Sequence, residues 1–158
     1  MSLNPGVAVI DVRNRRPTLI TAQAIQTTTD HTDAQRYDYI EAFAVRIAHE
    51  YGPFAAIVRE DFTDGRSQRA RQTVFGAWAA IDKGLGRYGY VVDPVRITPT
   101  TVKKTVGGDG KADKAAVAAG VRRLLRLPDG YTFASGYDDS DAAAVCLTYL
   151  ITQDLIDT

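Results

Sequence analysis

The chain has 158 residues and no net charge, with 45% hydrophobic and 24% charged residues, a composition typical of one globular domain with a sizeable core. No apolar run approaches the roughly 18 residues of a membrane-spanning helix, and no basic segment followed by an apolar stretch marks a secretory signal. Cys146 is the only cysteine, so an internal disulfide is excluded. A lone cysteine fits a reduced cytoplasmic setting, and we expect its small apolar side chain to be buried.

The first third of the chain is predicted to form a β-hairpin, a helix and a buried strand. Runs rich in β-branched residues predict the strands. The helix is predicted by apolar residues at helical spacing, which follow capping residues and end at a Gly-Pro pair. In order, these elements are a strand over 7–12, a turn over 13–17, a strand over 18–25, a helix between 30–33 and 51–53, and a strand over 54–58.

The remainder alternates helices with one further strand and a polar loop. In order, the pattern predicts a helix over 70–85, a strand over 90–92, a basic loop with a GGDG turn over 99–110, a helix over 117–125 ended by Pro128, and a last helix over 142–150. A hairpin followed by alternating strands and helices indicates an α/β fold, with a mixed sheet flanked by helices, in a single domain over 1–158.

Basic residues are concentrated in the middle of the chain. The stretch 66–126 holds 13 Lys and Arg against 4 Asp, a balance of +9, and the rest holds 6 basic and 15 acidic residues, a balance of −9. This asymmetry favours a polyanion-binding face beside a cluster of carboxylates, and the alternative is a set of solvated helix faces.

Three carboxylates are candidates for a metal site. Glu60 follows a predicted strand, at the end of a sheet where sites are commonly built, although a plain surface glutamate fits as well. Asp138 and Asp141 lie three residues apart at the start of a helix and share one face, although helix capping by Asp138 or Asp139 is the alternative. Acids that converge from such elements suit Mg²⁺ or Mn²⁺, and two ions about 4 Å apart could activate a water for phosphodiester cleavage.

Four anchors in the stretch TPTTVKKTVGGDGKADKAAVAAGVRRLL resemble a segment of the RuvC-type Holliday-junction resolvases. They are Pro99, Val102-Lys103, Gly108-x-Gly110 and Lys114. DDSDAAAV near the end of the chain is similar to the family's Asp-x-x-Asp-Ala signature, and IVREDF is similar to the strand that ends in its catalytic Glu. The resemblance covers nearly the whole chain.

The resemblance implies a ribonuclease H-like fold, a homodimer, and a nuclease that nicks two symmetric strands of a four-way DNA junction with Mg²⁺, two ions per site. It implies Glu60, Asp138 and Asp141 as metal ligands and Lys103 and Lys114 at the scissile phosphate. It places residues 62–71 at the junction centre. The DNA-binding residues it implies are Arg66, Arg69, Arg71, Lys103, Lys104 and Lys111. We also expect an apolar dimer face on the helix that holds Val74, Phe75 and Trp78.

The start of the chain departs from the family pattern. Asn4-Pro5-Gly6 stands where the family has Asp-Pro-Gly, so Asn4 takes the position of the first catalytic acid but supplies only a neutral oxygen. Three explanations remain open: a start truncated with residues 1–3 as a leader, a deliberate replacement of the acid, or a transfer of its role to Asp11.

Three functions compete at this point. The first is a metal-dependent endonuclease that resolves four-way DNA junctions. The second is a catalytically impaired junction-binding protein, because the first acid is absent and the basic middle still binds phosphates. The third is a ribonuclease H-like nuclease acting on RNA or RNA–DNA hybrids. The predicted loop over 99–110 argues against this third function.

Overall fold

The computed structural model describes residues 3–62 and 67–158, which form two compact units. The first unit comprises the described residues of 1–5, 25–57 and 62–94, and the second comprises 6–24, 58–61 and 95–158. None of the helices in the described ranges is long and apolar enough to cross a membrane.

The first unit is built on two long helices, α1 (Asp33–Tyr51) and α2 (Gln68–Gly86), which pack against each other. Thr32 begins α1 with a capping box, in which its hydroxyl accepts from the Gln35 amide and the Gln35 side chain accepts from the Thr32 amide. Two small clusters bury the apolar faces, one around Ile40 and Ala77 and the other around Ala44, Ala48 and Leu85. The predicted helices over 33–51 and 70–85 are therefore confirmed.

The predicted strands over 54–58 and 90–92 are wrong, because neither segment forms a strand. The two segments are linked by a hydrogen bond from the Asp93 amide to the Ile57 carbonyl, 2.7 Å, and by one from the Phe54 amide to the Tyr90 hydroxyl, 3.2 Å. Phe54, Ile57, Tyr90 and Val92 pack instead against the second cluster. Short apolar runs predict burial, and here helix packing provides that burial without a hydrogen-bonded ladder.

The second unit begins with the hairpin of β1 (Gly6–Arg13) and β2 (Arg16–Ala24), which pair antiparallel. Asn14 and Arg15 form its two-residue turn with φ of 49° and 63°, the left-handed conformation that matches the twist of the strands. The hairpin packs on the last helix, α5 (Asp138–Thr152). The contact is closest at Gly6, where an added Cβ would lie 2.0 Å from the Asp138 carbonyl oxygen.

Helices α3 (Pro99–Gly107) and α4 (Lys114–Leu125) complete this unit and share its core with α5. The predicted loop over 99–110 is wrong, because most of it is α3. Thr98 caps the helix, Pro99 opens it, and Gly108 at φ 85° ends it. Val102 and Val106 are buried, while the lysines between them are exposed. The polar composition concealed start and stop signals that are ordinary for a helix.

Candidate active site

Asp138 and Asp141 lie one turn apart in the first turn of α5. Negative charge is favourable there because the helix dipole places partial positive charge at the N-terminus. Tyr137 precedes the helix with φ 61° and makes no side-chain cap. Capping of the backbone falls instead to Asp139, which accepts from the Ser140 amide at 2.8 Å and from the Ala134 amide at 3.0 Å. The capping alternative therefore applies to Asp139.

The carboxylate of Asp141 is half-buried and its pKa is raised. Burial is the main cause, and the negative charges of Asp138 and Asp139 raise the pKa further. The ammonium of Lys114, 3.3 Å from Asp141 Oδ2, acts in the opposite direction without cancelling the burial. Burial makes the ionised form of the Asp141 carboxylate unfavourable, so a cation bound there would stabilise that form.

Lys114 lies at the start of α4 and contacts Asp141. It is the first residue of that helix, after the cap Asp113, where a positive charge is disfavoured by the helix dipole. Its Nζ donates to the Gly136 carbonyl oxygen at 3.1 Å in addition to pairing with Asp141. Two residues predicted for the site therefore meet, although they are distant in sequence.

Glu60 follows an extended segment and forms an isolated parallel bridge with Ile97. The next residue, Asp61, donates its amide to the Ile97 carbonyl at 2.7 Å, and its carboxylate accepts from Arg96 at 2.8 Å. Asp61 is paired with Arg96, and Glu60 is the residue of this segment that the resemblance implies as a metal ligand. Its side chain is half-buried.

The donor set fits a hard divalent cation in its chemistry, because carboxylate oxygens are the ligands that Mg²⁺ and Mn²⁺ prefer. Within residues 3–62 and 67–158, however, no three His, Cys, Asp or Glu side chains lie close enough together to hold an ion. The pair Asp138 and Asp141 thus forms the nucleus of the candidate site, and Glu60 is not gathered with it into a three-carboxylate cluster.

The three lysines predicted to contact DNA are all exposed in the second unit. Lys103 and Lys104 lie on α3, and the charge of Lys104 in the last turn suits the negative end of the helix dipole. Lys111 lies in the turn before α4, where its amide donates to Asp109 Oδ1 at 2.7 Å.

The predicted arginines differ in their surroundings. Arg69, on α2 in the first unit, pairs with Asp33 at 2.6 Å, and hydrogen bonding to that carboxylate raises the pKa of Arg69. Arg71 is exposed on the same helix. Arg66 lies outside the described residues.

Asn4 belongs to the first unit and has a structural contact. Its side-chain oxygen accepts from the Thr27 amide at 2.7 Å. Asp11 is half-buried on β1 and pairs with Arg13 at 2.8 Å. It lies five residues beyond Gly6, roughly 16 Å along an extended strand, and Gly6 is the residue that touches Asp138. This separation argues against a site shared by Asp11 and Asp138.

The expected dimer face needs one correction. Val74 is only 2% exposed and belongs to the interior of its own unit, so it cannot contribute to an interface. Phe75 is 50% exposed and lies edge-on to Phe62 and Trp78. Of the three residues expected on this face, only Phe75 is exposed, since Trp78 is half-buried.

Sequence analysis missed two residues that shape the site, Gly6 and Asp139. The close approach of Gly6 to Asp138 depends on tertiary packing. Asp139 was considered only as a cap. The sequence does hold one signal for Asp139. Three acids lie within four residues, Asp138, Asp139 and Asp141, whereas the predicted metal pair accounts for only two of them.

Comparison with known proteins gives one consistent family. The family model described as "Crossover junction endodeoxyribonuclease RuvC" matches residues 2–149. The protein of that name from Rickettsia bellii is 28% identical over 148 residues, covering 94% of this chain and 90% of the relative. The Leifsonia xyli protein is 32% identical over 146 residues, covering 91% of this chain and 67% of the relative.

Solved structures agree with the fold. Thermus thermophilus RuvC matches with a TM-score of 0.77 at 24% identity, over 95% of this chain and 90% of that one. T. thermophilus RuvC in complex with Holliday junction substrate matches with a TM-score of 0.78 at 24% identity, over 94% and 87% of the two chains. The predicted ribonuclease H-like α/β fold is thereby confirmed.

Proposed function

This chain belongs to the RuvC family of crossover junction endodeoxyribonucleases, whose members are divalent-metal-dependent nucleases, and from that premise we propose that it resolves four-way DNA junctions by paired, symmetric nicks. The observation that carries the proposal is the ion pair between Lys114 and Asp141 in the first turn of α5, which also holds Asp138. Such an arrangement combines carboxylates for a cation with a lysine for a phosphate.

The metal of this site is proposed to be Mg²⁺, with Mn²⁺ as a substitute and two ions per site. Asp138 and Asp141 would hold it, with Glu60 as a further ligand. When bound, the ions supply the positive charge that activates a water and stabilises the leaving oxygen. Asn4 would add at most a neutral oxygen, and its bond to Thr27 already engages that oxygen.

The basic residues are proposed to bind the phosphates around the scissile bond. Lys114 is adjacent to Asp141 and would hold the phosphate that is cut, together with Lys103. Lys104 and Lys111 would contact flanking phosphates, because both are exposed near the same end of α3. Arg66, Arg69 and Arg71 are proposed to contact the strands near the junction centre.

The assembly is proposed to be a homodimer, since a junction has near two-fold symmetry and paired nicks need paired sites. We also propose that residues 1–158 act as a single nuclease domain, because the family match runs without interruption through both units. A cytoplasmic location is proposed with it, where DNA is accessible and the lone Cys146 stays reduced.

The experiment is cleavage of a labelled four-way DNA junction compared with linear duplex and an RNA–DNA hybrid, with Mg²⁺ and with EDTA. We expect symmetric nicks in the junction alone, with Mg²⁺ alone. Asp141→Asn should lower the rate on the order of 100-fold or more, since removing even an outer partner of a metal costs about 10- to 100-fold. Asp129→Asn, which removes an exposed acid in a loop, is the matched control.

The other outcomes distinguish the competing functions. Cleavage that appears only in Asn4→Asp, with tight junction binding by the unaltered chain, would indicate the catalytically impaired junction-binding protein. Preferred cleavage of the hybrid would indicate the RNA-directed nuclease. A chain that neither binds nor cuts a junction would overturn the proposal.

A further inference from the structure

The loop before α5 is held against α4 at two points. The Arg122 guanidinium lies 5.0 Å from the centroid of the Phe133 ring, and Lys114 Nζ donates to the Gly136 carbonyl oxygen at 3.1 Å. Arg122 and Lys114 are eight residues apart on α4, about 12 Å along the helix. One side of the loop is therefore fixed to a rigid element that also carries a site residue.

The other side of this loop is fixed by Asp139. This residue is only 6% exposed, and both carboxylate oxygens accept hydrogen bonds. Oδ1 accepts from the Ser140 amide at 2.8 Å, and Oδ2 accepts from the Ala134 amide at 3.0 Å. A buried carboxylate is costly unless it is compensated in this way, so the Ala134 amide is held firmly.

These contacts connect Asp139 to Lys114 and Asp141 through the turn over 134–137. Asp139 fixes Ala134, and the Ala134 carbonyl accepts from the Tyr137 amide at 2.9 Å to close the turn. Gly136 lies inside that turn and offers its carbonyl to Lys114, whose ammonium reaches Asp141. A displacement of Ala134 would therefore move the acceptor that orients Lys114.

We propose that Asp139 is a positioning residue, which acts through the 134–137 turn to hold Lys114 beside Asp141. This inference rests on the proposed nuclease function and deepens it. Its carboxylate oxygens are committed to backbone amides, so its role is orientation and differs from the ligand role proposed for Asp138 and Asp141.

The test is a double-mutant cycle in single-turnover cleavage at saturating chain. Asp139→Ala should lower the cleavage rate on the order of 10- to 100-fold, since misplacement by about 1 Å can cost about 100-fold, and leave junction affinity unchanged. Asp139→Asn keeps an acceptor for the Ser140 amide and should recover part of the loss. If Asp139 acts through Lys114, adding Asp139→Ala to Lys114→Ala should slow cleavage no further.

Two controls separate orientation from stability and from the proposed function. Thr32→Ala removes the cap of α1, lowers stability, and should leave the cleavage rate unchanged. Hydrogen exchange of the 134–137 segment needs no cleavage, and it should accelerate in Asp139→Ala but not in Thr32→Ala.

The contrary outcomes are distinct. Additive effects in the cycle, or unchanged exchange over 134–137 in Asp139→Ala, overturn the positioning role. A wild-type chain that cuts no junction overturns the proposed function and the catalytic consequence of Asp139, while exchange still decides whether Asp139 anchors the turn.

Discussion

At the scale of single residues, Asp141 shows a conflict between stability and function. Its pKa is raised, mainly by burial, so the folded chain binds a proton at this carboxylate more tightly than the unfolded chain does. The stabilising contribution is then present below the unfolded pKa and is lost as pH rises through the folded pKa. At neutral pH, the ionised carboxylate therefore disfavours folding unless a cation offsets it.

We accordingly expect Asp141→Asn to raise the melting temperature near pH 7 in EDTA, although the same variant should cut junctions far more slowly. The difference should shrink as pH falls, because the carboxyl group of the wild-type residue becomes protonated. Mg²⁺ should raise the melting temperature of the wild type more than that of the variant. Thermal melts at several pH values, with and without Mg²⁺, provide the measurement. A variant that melts below the wild type in EDTA would contradict this account.

Cys146 should be nearly unreactive in the folded chain. Burial raises the pKa of its thiol to about 11, and its Sγ donates to the Ala8 carbonyl at 3.7 Å. Near pH 8 only about 0.1% of the thiol is then ionised, and the thiolate is the reactive form. A colorimetric thiol reagent should react slowly with native protein and rapidly in guanidinium chloride. Equal rates in both conditions would mean that the thiol is accessible.

At the scale of elements, the fit between β1 and α5 depends on one glycine. An added Cβ at Gly6 would lie 2.0 Å from the Asp138 carbonyl oxygen, whereas an added Cβ at Gly86 would meet no atom within 4 Å. The backbone of the first turn of α5, which carries both candidate metal ligands, therefore rests directly on the hairpin. Only a residue without a side chain permits that approach.

Gly6→Ala should consequently displace the first turn of α5. We expect a loss of about 1–3 kcal/mol in the free energy of unfolding, the usual cost of overpacking, together with a strong loss of cleavage. Gly86→Ala is the matched control and should be neutral or slightly stabilising, because alanine favours helices. Denaturant unfolding and junction cleavage of both variants test this. Equal behaviour of the two would remove the close contact as an explanation.

At the scale of the whole molecule, charge is segregated along a chain that is neutral overall. The balance of +9 over 66–126 contrasts with −9 elsewhere. Some of that positive charge is neutralised internally, as Lys83 is by Glu41 at 3.3 Å and Arg96 is by Asp61. The exposed lysines of α3 and the following turn are better placed to bind phosphates.

Junction binding should therefore weaken steeply with salt, and single lysines should contribute unequally. Lys104→Ala should reduce the slope of log affinity against log salt concentration by about 1, because one phosphate contact is lost. Lys83→Ala, which removes a lysine already paired with Glu41, should leave the slope unchanged. Binding titrations over a salt series measure both. A reversed order of the two effects would show that the DNA-binding face lies elsewhere.

Four of the five described helices, the hairpin, the α/β class and the family could be predicted from the sequence, whereas the polar composition of α3 concealed that helix. These depend on local features: apolar residues at helical spacing in α1, α2, α4 and α5, a short turn at Asn14-Arg15, and motif residues that keep their order. Helix periodicity and caps are visible within a few residues of one another, so no tertiary information is needed.

How the apolar runs are buried, and which side chains come into contact, depends on tertiary packing. The same apolar pattern over 54–58 suits a strand in a sheet or a segment packed on helices, and the packing against α1 and α2 selected the second. Three contacts at the site depend on the folded backbone. They are the ion pair of Lys114 with Asp141, the contact of Gly6 with Asp138, and the hydrogen bond from the Ala134 amide to Asp139. A linear pattern records which side chains are available, but the distances and burial that set their pKa values and partners arise only when the elements pack.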